Sequence, residues 1–586
     1  MSDDGPGTGH GGVLAMGAAR QHGVTTMFTL SGGHVFPLYD AAVHADPPVR
    51  LIDVRHEQTA VFAAEATARL TRVPGLAVVT AGPGVTNSVS AIVTAHFNGA
   101  PVVVLGGRAP DYRWGAGSLQ EIDHPPLLAP VTKRAWTEHT TAQVATSVDE
   151  AFRLAATPHR GPVFLDVSLE ALYGKAEVLP LAPVRAAAPA KDAGPGKDPG
   201  KDPGQDPGQD PGQDAVSQIA GLLAAAQRPV LVLGSDVWMD GAEAAARVAA
   251  EEFQLPVIAN GQGRGIIPAG HPLLVTRARA TAFREADLVL VAGAPLDFRL
   301  GYGQFGQDAH AARVVHVADS RGQLASHCPL AATASGDLTA FFTQLATELT
   351  AALAAPLAAP GPTAAGGRAA GQRREWLARL QDTARAATAA DAGLLASDAR
   401  PIHPMRVYGE LTRQLADDAV VIGDGGDFVS FAGKYVEPRQ PGHWLDPGPF
   451  GCLGTGLGYA IAARLARPSA QVVLMLGDGA AGFSLMDVDT LVRHGLPVVM
   501  VCGNNGAWGL EKHPMRALYG YDIAADLQPG CRYDEVVRAL GGAGELVTEP
   551  GQIDPALRRA FAAGVPYLVN VITDPEIAYP RSTTGV

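Results

Sequence analysis

Strand-length runs of valine, leucine and isoleucine recur along this 586-residue chain, and they constrain its fold more than any other feature. They read GLAVVTAG and PVVVLGG in the first third, RPVLVLGS, ADLVLVAG and ARVVHVAD in the middle, and DAVVIGDGG, AQVVLMLGDG and LPVVMVCGNN in the last third. Continuous apolar runs are typical of strands buried on both faces. Because helical patterns follow these runs, we predict an α/β fold of doubly wound parallel sheets, with ligand-binding loops at the carboxyl ends of the strands.

Two low-complexity segments divide the chain into three blocks of domain size. PGKDPGKDPGQDPGQDPGQD, from Pro195 to Asp214, repeats PG[KQ]D five times, and AAPLAAPGPTAAGGRAAGQ, from Ala354 to Gln372, is rich in Ala, Pro and Gly. The repeat offers no apolar residue to bury, so we interpret it as an exposed linker. We predict a first domain over 1–190, a repeat linker over 191–215, a central domain over 216–349, a second linker over 350–372 and a third domain over 373–586.

Charge and cysteine content argue against several classes of function. The formal net charge is −13 and aromatic residues make up 6% of the chain, which disfavours a nucleic-acid partner. The four cysteines form no CxxC pair, so neither a zinc site nor a disulfide framework is indicated. The N-terminus lacks a signal-peptide pattern, and no apolar run reaches membrane-spanning length. We therefore expect a cytoplasmic protein that acts on a small-molecule substrate, without a membrane partner.

An acid and an amide stand at the ends of two predicted strands in the third block. Asp478 follows VVLML within a GDG motif, and Asn505 follows PVVMV within an NN pair. Parallel strands joined by a crossover helix bring both side chains to one edge of the sheet. Carboxylate and amide oxygens suit Mg²⁺, which usually completes its shell with phosphate oxygens and water. Because Gly477 and Gly479 let backbone N–H groups approach a phosphate, the pattern predicts a Mg²⁺–diphosphate site.

Three motifs together resemble those of the thiamine diphosphate (ThDP) enzymes. GDG or NN alone is compatible with ordinary βα turns, but the first block also carries RHEQTAVFAAEATARL and VTAGPGVTNSVSAI. The combination of HEQ, AGPGVTN and GDG…NN resembles the branch that contains acetolactate synthase, oxalyl-CoA decarboxylase and 2-hydroxyacyl-CoA lyase. The resemblance covers nearly the whole chain. It implies a pyrimidine-binding domain, a central nucleotide-binding-like domain and a diphosphate-binding domain.

The resemblance assigns cofactor contacts to individual residues of the third block. It implies that Asp478, Asn505 and the main-chain carbonyl of Ala507 bind Mg²⁺. In FGCLGTGLGYAIAA, the carbonyl of Gly451 would accept a hydrogen bond from the pyrimidine amine, and Leu453 would lie beneath the bend of the cofactor. The other residues expected to contact the cofactor are Gly477, Gly479, Ala480, Asp427 and Phe428.

Four residues are predicted to take part in catalysis. The resemblance implies that Glu57 hydrogen-bonds the aminopyrimidine ring and so activates C2 of the thiazolium, and that Gln120 faces the thiazolium. His34 follows a strand end in the first block, and a histidine there can move protons near neutral pH. Glu511 follows the NN motif, and burial would raise its pKa toward the working pH. A purely structural role is the alternative for His34 and Glu511.

Individual stretches indicate different members of the branch. Acetolactate synthases carry an RFDDR-like stretch where this chain reads APLDFRLGYG, and a tryptophan farther after NN than Trp508. GLGYAIAA and RGIIPAGHPLLVTRARATAFREADLVLVAG are more similar to the CoA-dependent members, whose central domain holds ADP or CoA where acetolactate synthases hold FAD. Arg277 and Arg279 could bind the phosphates of such a nucleotide, or lie on a helix surface. LQEID with PVTK, in contrast, resembles acetolactate synthase.

We therefore predict an enzyme that breaks or forms a C–C bond next to a carbonyl. The favoured reaction is that of a 2-hydroxyacyl-CoA lyase, which reversibly yields an aldehyde or ketone and formyl-CoA. The alternative is acetolactate synthase, which joins pyruvate to a 2-oxo acid with loss of carbon dioxide, and the third reading is a non-catalytic ThDP-fold protein. In this family the active site forms between two chains, so we expect a homodimer at minimum and a homotetramer as the usual assembly.

Overall fold

Three domains make up the part of the chain that the computed structural model describes, which comprises residues 8–178, 210–307, 310–354 and 364–580. Each domain is built on one parallel sheet flanked by helices, so the prediction of three α/β domains is confirmed. Residues 195–209 of the PG[KQ]D repeat and residues 355–363 of the second predicted linker lie outside the described residues.

The first domain contains a six-stranded parallel sheet with strand order β3-β2-β4-β5-β7-β6, and β1 pairs with β8 in a separate antiparallel ribbon. The run GLAVV becomes β4, which is buried along its whole length. The strands are Thr8–His10 (β1), Thr26–Thr29 (β2), Arg50–Asp53 (β3), Gly75–Val79 (β4), Val102–Arg108 (β5), Ala135–Glu138 (β6), Val163–Ser168 (β7) and Lys175–Glu177 (β8). The helices are Gly11–Gln21 (α1), Phe36–His44 (α2), Glu57–Thr71 (α3), Pro83–Thr86 (α4), Val89–Phe97 (α5), Pro125–Leu128 (α6), Val144–Ala156 (α7) and Leu169–Tyr173 (α8).

The central domain contains a five-stranded parallel sheet with the order β10-β9-β11-β14-β15, and β12 and β13 form a short hairpin beside it. Its helices are Gln213–Ala225 (α9), Ser235–Met239 (α10), Glu243–Glu252 (α11), Arg279–Glu285 (α12) and Leu338–Ala354 (α13). Its strands are Pro229–Leu233 (β9), Val257–Ala259 (β10), Leu288–Ala292 (β11), Gly306–Gln307 (β12), His310–Ala311 (β13), Arg313–Ala318 (β14) and Ala332–Ser335 (β15).

The third domain repeats the topology of the first, with the strand order β17-β16-β18-β19-β21-β20. Its helices are Ala364–Leu395 (α14), Pro404–Leu411 (α15), Asp427–Tyr435 (α16), Thr455–Ala466 (α17), Asp478–Ser484 (α18), Val488–Arg493 (α19), Gly509–Tyr519 (α20), Tyr533–Ala539 (α21) and Ile553–Ala562 (α22). Its strands are Val420–Asp424 (β16), Trp444–Leu445 (β17), Val472–Gly477 (β18), Val499–Asn504 (β19), Ala543–Val547 (β20) and Tyr567–Ile572 (β21).

In each sheet the strand order reverses between the second and third strands of the order given above, and this reversal opens a crevice. The reversal lies between β2 and β4 in the first domain, between β9 and β11 in the central domain, and between β16 and β18 in the third. Because the loops after these strand pairs run in opposite directions, the crevice at the carboxyl ends is where an open α/β sheet binds ligands. The topology therefore points to three candidate crevices.

The described ends of both predicted linkers are helical. Helix α9 begins at Gln213, within the last copy of the PG[KQ]D repeat, and helix α13 extends to Ala354. Helix α14 begins at Ala364, inside the second predicted linker. Across the described ranges, every helix is too short or too polar to traverse a lipid bilayer.

Helix α3 of the first domain packs against helix α17 of the third at a close backbone approach. A Cβ atom at Gly458 would lie 2.7 Å from the Cβ of Phe62 and 3.0 Å from the carbonyl oxygen of Thr59. Beside this contact, the hydroxyl of Tyr459 donates a 2.9 Å hydrogen bond to Oε2 of Glu65, and both side chains are fully buried. The joint holds the first and third domains together in one chain.

Candidate active site

A cavity of about 180 Å³ opens at the crevice between β16 and β18. Every residue that the sequence predicts as functional in the third domain lies in its wall. The lining residues are Gly425, Gly426, Asp427, Phe428, Gly451, Leu453, Gly477, Asp478, Gly479, Ala480, Gly503, Asn505, Ala507, Trp508, Gly509, Leu510 and Glu511. The structure thus joins the GDG motif, the NN motif, the segment around Leu453 and Glu511 at one site. Glu511 is exposed in the chain, so the expectation that it is buried is wrong.

Asp478 is a buried carboxylate that main-chain amides hold in place. It begins helix α18 directly after β18 and is 3% exposed. Its Oδ1 accepts a 2.9 Å hydrogen bond from the N–H of Gly479, and its Oδ2 accepts a 2.7 Å bond from the N–H of Gly506. Burial dominates over these bonds and raises the pKa of Asp478 to about 6. A cation bound beside Asp478 would therefore stabilise the ionised form of this carboxylate, and the carboxylate would in turn attract the cation.

The pKa of Asp478 makes the stability of the metal-free protein depend on pH. Because folding raises the pKa of this acid, the cost of ionising it is absent well below pH 4, grows as the pH rises, and is complete above pH about 6. Asp478→Asn removes that cost but also loses one accepted hydrogen bond, which is a pH-independent effect. Relative to the wild type, the free energy of unfolding of Asp478→Asn should rise by on the order of 1–3 kcal/mol between pH 4 and pH 8. Denaturant unfolding in EDTA measures this, and a difference that stays constant with pH contradicts it.

The turn after β19 brings the other two predicted metal ligands to Asp478. Oδ1 of Asn505 accepts a 3.1 Å hydrogen bond from the N–H of Ala507. Gly506 between them has φ +66°, a left-handed conformation that favours glycine, and its amide is the one that donates to Asp478. A carboxylate, an amide oxygen and main-chain carbonyls at one turn form an oxygen donor set of the kind that Mg²⁺ prefers.

The backbone of the cavity wall leaves room for a ligand to approach closely. A Cβ atom at Gly477 would have no atom within 4 Å, so the chain there is open. A Cβ at Gly479 would lie 2.4 Å from the ring of Trp508, and a Cβ at Gly426 would lie 2.6 Å from the side chain of Leu510. Side chains at these positions would fill the crevice or displace its wall. The glycines of GDG and DGG thus shape a cradle at the end of the sheet.

A buried acid holds the loop that carries Leu453. Asp424 ends β16, is fully buried, and accepts hydrogen bonds from the N–H groups of Gly454 (3.1 Å) and Gly456 (2.8 Å). Burial raises the pKa of Asp424 to about 7. The two bonds join the end of β16 to the start of α17 and fix Gly451 and Leu453 beside the cavity. This is the support that a side chain beneath a bent ligand requires.

A second polar group lies at the crevice of the first domain. His34 follows β2, and its Nδ1 lies 3.1 Å from Oγ1 of Thr80, which follows β4. The hydroxyl of Thr80 also donates a 3.5 Å hydrogen bond to Oε1 of Gln120. Burial lowers the pKa of His34, so the imidazole is neutral at pH 7. The structure joins His34 and Gln120, which the sequence predicts separately, through a threonine that sequence analysis missed.

Glu57 lies in the same domain, at the first residue of helix α3, and is 7% exposed. Nδ2 of Asn87 donates a 3.1 Å hydrogen bond to its Oε2. Asn87 ends the AGPGVTN motif, so this bond joins that motif to HEQ. The sequence analysis did not single out Asn87 or Thr80, although TAGPGVTN begins and ends with them. Both are polar residues at the edges of a glycine-rich turn, and this feature of the sequence could have identified them.

The predicted residues fall into two groups on different domains. Glu57, His34 and Gln120 belong to the first domain, whereas all residues that line the larger cavity belong to the third. The cavity also contains residues that the sequence analysis did not assign to the cofactor: Gly425, Gly426, Gly503, Trp508, Gly509 and Leu510. These flank predicted residues in the chain, and only the fold shows that their side chains or backbone face the same space.

The central domain places Arg277 and Arg279 against other parts of the protein. The guanidinium of Arg277 pairs with the carboxylate of Asp391 and donates a 3.0 Å hydrogen bond to the carbonyl of Ala387, both on helix α14. Arg279 bonds to the carbonyl oxygen of Arg299, and burial lowers the pKa of Arg279 to about 10. A small cavity of about 40 Å³ lies at the central crevice, and neither Arg277 nor Arg279 lines it. Their contact with a nucleotide stays a prediction.

Comparison with known proteins gives matches over nearly the whole chain. Family models of thiamine pyrophosphate enzymes match in order: the N-terminal TPP binding domain over residues 10–127, the central domain over 216–345 and the C-terminal TPP binding domain over 424–571. The chain is 47% identical to "Acetolactate synthase large subunit IlvG" of Mycobacterium tuberculosis, over 98% of this chain and 97% of that protein. It is 32% identical to "2-hydroxyacyl-CoA lyase 2" of Caenorhabditis elegans, over 96% of this chain and 89% of that protein, and 31% identical to the human protein of the same name, over 96% and 90%.

These comparisons bear on the two reactions differently. The identity to the protein named acetolactate synthase is higher than that to the lyases, so the alternative reaction fits better than the favoured one. Each of the three matched ranges falls within one of the three parallel-sheet domains of the structure, and the predicted motifs lie in the two TPP binding domains. The chain therefore belongs to the thiamine diphosphate-dependent enzyme family.

Proposed function

We propose that this enzyme is a ThDP- and Mg²⁺-dependent carboligase of the acetolactate synthase type, which condenses two 2-oxo acids with loss of carbon dioxide. The observation that carries the proposal is the third-domain cavity, where Asp478, Asn505 and Ala507 offer oxygen ligands beside the open backbone at Gly477. The 47% identity to a protein named acetolactate synthase supports this reaction over the lyase reaction that short stretches of sequence favoured.

The cavity residues fit the cofactor by their chemistry. Asp478, Asn505 and the carbonyl of Ala507 would hold Mg²⁺, and the glycine backbone at Gly477 would leave room for the diphosphate. Leu453, fixed through Asp424, would support the bend of the cofactor. Bound ThDP supplies a carbon nucleophile that stabilises the negative charge left by decarboxylation. The protein binds and orients it, and the buried walls exclude water.

The first-domain residues would act on protons at the reacting end. Glu57, oriented by Asn87, would hydrogen-bond the pyrimidine ring. Gln120 and His34, joined through Thr80, would face the substrate carbonyl. The condensation consumes one proton at the new alkoxide oxygen, and His34 or Glu511 would deliver it. Because the His34 imidazole is neutral at pH 7, it would take up a proton from the solvent before it donates one to the alkoxide.

A second copy of the chain would complete the site. Glu57, His34 and Gln120 lie on one domain and the cavity lies on another, and none of the three lines the cavity within one chain. We infer a homodimer in which the first domain of one chain faces the third-domain cavity of its partner, with a homotetramer as the larger assembly. Sedimentation velocity of the purified protein measures the assembly. A stable, active monomer contradicts the shared site.

The second candidate function is that of a 2-hydroxyacyl-CoA lyase. One observation favours it: Glu511 lines the cavity beside Leu510, which gives the site a carboxyl group that can serve as a base. The relatives named 2-hydroxyacyl-CoA lyase 2 add support because they align over 96% of this chain. In that reaction the substrate hydroxyl would lose its proton to His34 or Glu511, and the C–C bond would break to release an aldehyde or ketone. Return of the proton to the acyl carbon would then give formyl-CoA.

One assay separates the two functions. The protein is incubated with ThDP and Mg²⁺, once with pyruvate and once with a 2-hydroxyacyl-CoA, and acetolactate and formyl-CoA are followed by chromatography. The proposal predicts acetolactate from pyruvate and no thioester cleavage. Formyl-CoA formation without acetolactate would replace the proposed function by the second candidate, and neither product would contradict both.

Glu511 should affect turnover rather than cofactor binding. We expect Glu511→Ala to lower the turnover of the accepted substrate roughly 10²–10⁴-fold, the usual effect of losing a general acid or base, while ThDP affinity is retained. Steady-state kinetics with a parallel ThDP titration measure both. Glu535→Ala, which removes a carboxyl with a 57% exposed side chain on helix α21 of the same domain, is the matched control. Unchanged turnover in Glu511→Ala would remove Glu511 from the chemistry.

A further inference from the structure

A histidine–aspartate pair lies buried beneath the first-domain crevice, and the proposed function does not use it. His124 is 1% exposed and Asp166, within β7, is 0% exposed. Nδ1 of His124 lies 2.9 Å from Oδ2 of Asp166, and Nε2 lies 3.0 Å from the amide nitrogen of Gly82. A main-chain amide can only donate, so Nε2 accepts and Nδ1 carries the proton. The two contacts therefore select the neutral Nδ1–H tautomer.

The amide that His124 binds belongs to the turn of the AGPG motif. Gly82 has φ +60° and ψ −113°, a conformation that favours glycine, and it immediately precedes helix α4. A Cβ atom at Gly82 would lie 2.8 Å from the Cβ of Gln120, so the turn packs directly on the loop that carries Gln120. Gln120 itself has φ +63°, which is uncommon for a residue with a side chain. The turn and the loop thus touch at two residues that both have a positive φ.

Two predicted catalytic residues depend on this turn. Helix α4 leads from Gly82 to Asn87, and Asn87 donates the 3.1 Å hydrogen bond to Glu57. Gln120 lies four positions before His124 on the packed loop. Arg108 donates a 3.3 Å hydrogen bond to Oδ2 of Asp166 and so helps to hold that side chain in place. One imidazole therefore links a buried acid to the backbone that orients both Glu57 and Gln120.

We propose that His124 is a positioning residue for the thiamine chemistry: it ties the Gly82 turn to Asp166 and thereby aligns Glu57 and Gln120. The inference rests on the proposed function only in taking Glu57 and Gln120 as the groups that face cofactor and substrate. The hydrogen bonds of His124 go to the Gly82 amide and to Asp166, not to Glu57 or Gln120. Its effect is transmitted through the Gly82 amide, helix α4 and Asn87.

Two substitutions at His124 separate positioning from simple packing. His124→Gln retains an oxygen that can accept from the Gly82 amide and an NH₂ that can donate to Asp166. His124→Leu fills similar volume but can do neither. We expect the leucine variant to lose at least about tenfold of the hydrogen-exchange protection of the Gly82 amide in the cofactor-free protein, because its acceptor is gone. The glutamine variant should keep most of this protection.

The loaded enzyme gives the second readout. We expect His124→Leu to slow proton–deuterium exchange at C2 of bound ThDP about 10–100-fold while ThDP affinity changes less than about threefold, and His124→Gln to recover most of the rate. Asn87→Ala tests the last link: it should slow C2 exchange and leave the Gly82 amide protected. If His124→Leu does not fold, Asn87→Ala still tests whether the link to Glu57 controls the rate of C2 exchange.

The results of these experiments can be distinguished from a failure of the proposed function. C2 exchange needs no substrate, so it reports on positioning even if acetolactate is not the product. Wild-type C2 exchange in a folded His124→Leu variant or in Asn87→Ala would overturn the proposal. A glutamine variant that protects the Gly82 amide but exchanges C2 as slowly as the leucine variant would also overturn it, because restored geometry would then not restore the chemistry.

Discussion

Asp478→Ala is expected to raise the dissociation constant for ThDP in the presence of Mg²⁺ by at least about 100-fold and to abolish activity. The substitution removes a buried carboxylate that two main-chain amides hold at the end of β18. Without it the proposed metal site keeps only neutral oxygens, and the diphosphate loses the cation that offsets its charge. Quenching of tryptophan fluorescence measures binding, since Trp508 lines the cavity.

Asp489→Ala is the matched control for this experiment. Asp489 lies on helix α19 of the same domain, is paired with Arg55 and Arg493, and does not line the cavity. We expect it to bind ThDP like the wild type. Wild-type affinity in Asp478→Ala would show that Asp478 is not a ligand of the metal–diphosphate group.

Glu57→Gln is expected to leave ThDP bound and to slow proton exchange at C2 by roughly 10²–10⁴-fold. The amide is nearly isosteric and can keep a contact with Asn87, but it cannot exchange a proton with the pyrimidine ring. Binding and exchange should therefore separate in this variant, whereas Asp478→Ala should lose both. Quenched-flow exchange followed by NMR measures the rate.

Glu150→Gln provides the comparison for Glu57→Gln. Glu150 is a carboxylate of the same domain with a 52% exposed side chain, and it pairs with Arg134 on the surface. Its exchange rate should equal that of the wild type. Normal C2 exchange in Glu57→Gln would exclude Glu57 from activation of the cofactor.

The third-domain site was predictable from sequence because its residues sit next to strand ends. Once VVLML and PVVMV are recognised as buried parallel strands, Asp478 and Asn505 must fall at the same edge of one sheet, and the structure has them in one cavity. Local rules of this kind also cover Gly477 and Gly479. These rules do not depend on how the domains pack, so they can be applied without knowledge of the tertiary structure.

Contacts between distant segments could not be predicted in the same way. The bonds from Thr80 to Gln120 and from Asn87 to Glu57 span 40 and 30 positions, and no periodicity fixes such pairs. Arg277 shows that a predicted ligand-binding residue can instead have a partner within the protein. The sequence analysis expected it to bind a phosphate, but its guanidinium pairs with Asp391, 114 positions away. A charged side chain takes the partner that the fold offers, and the sequence does not reveal that partner.

The choice of reaction illustrates a further limit of short motifs. The stretches GLGYAIAA and RGIIPAGHPLLV favoured the lyase, whereas identity along the whole chain favours the synthase. GLGYAIAA lies in helix α17, where Gly458 packs against Phe62 of helix α3. Gly458 is required by that packing, so at this position the stretch reports on a domain joint rather than on the substrate.

Isothermal titration of the cofactor-free protein with ThDP tests the central claim most directly, namely that the third-domain cavity is a Mg²⁺-dependent diphosphate site. With Mg²⁺ present, we expect saturable binding of one ThDP per chain. With EDTA in place of Mg²⁺, binding should weaken by at least about 100-fold, because the diphosphate would then face the Asp478 carboxylate without a cation between them. Equal affinity with and without Mg²⁺, or no binding in either condition, would contradict the account.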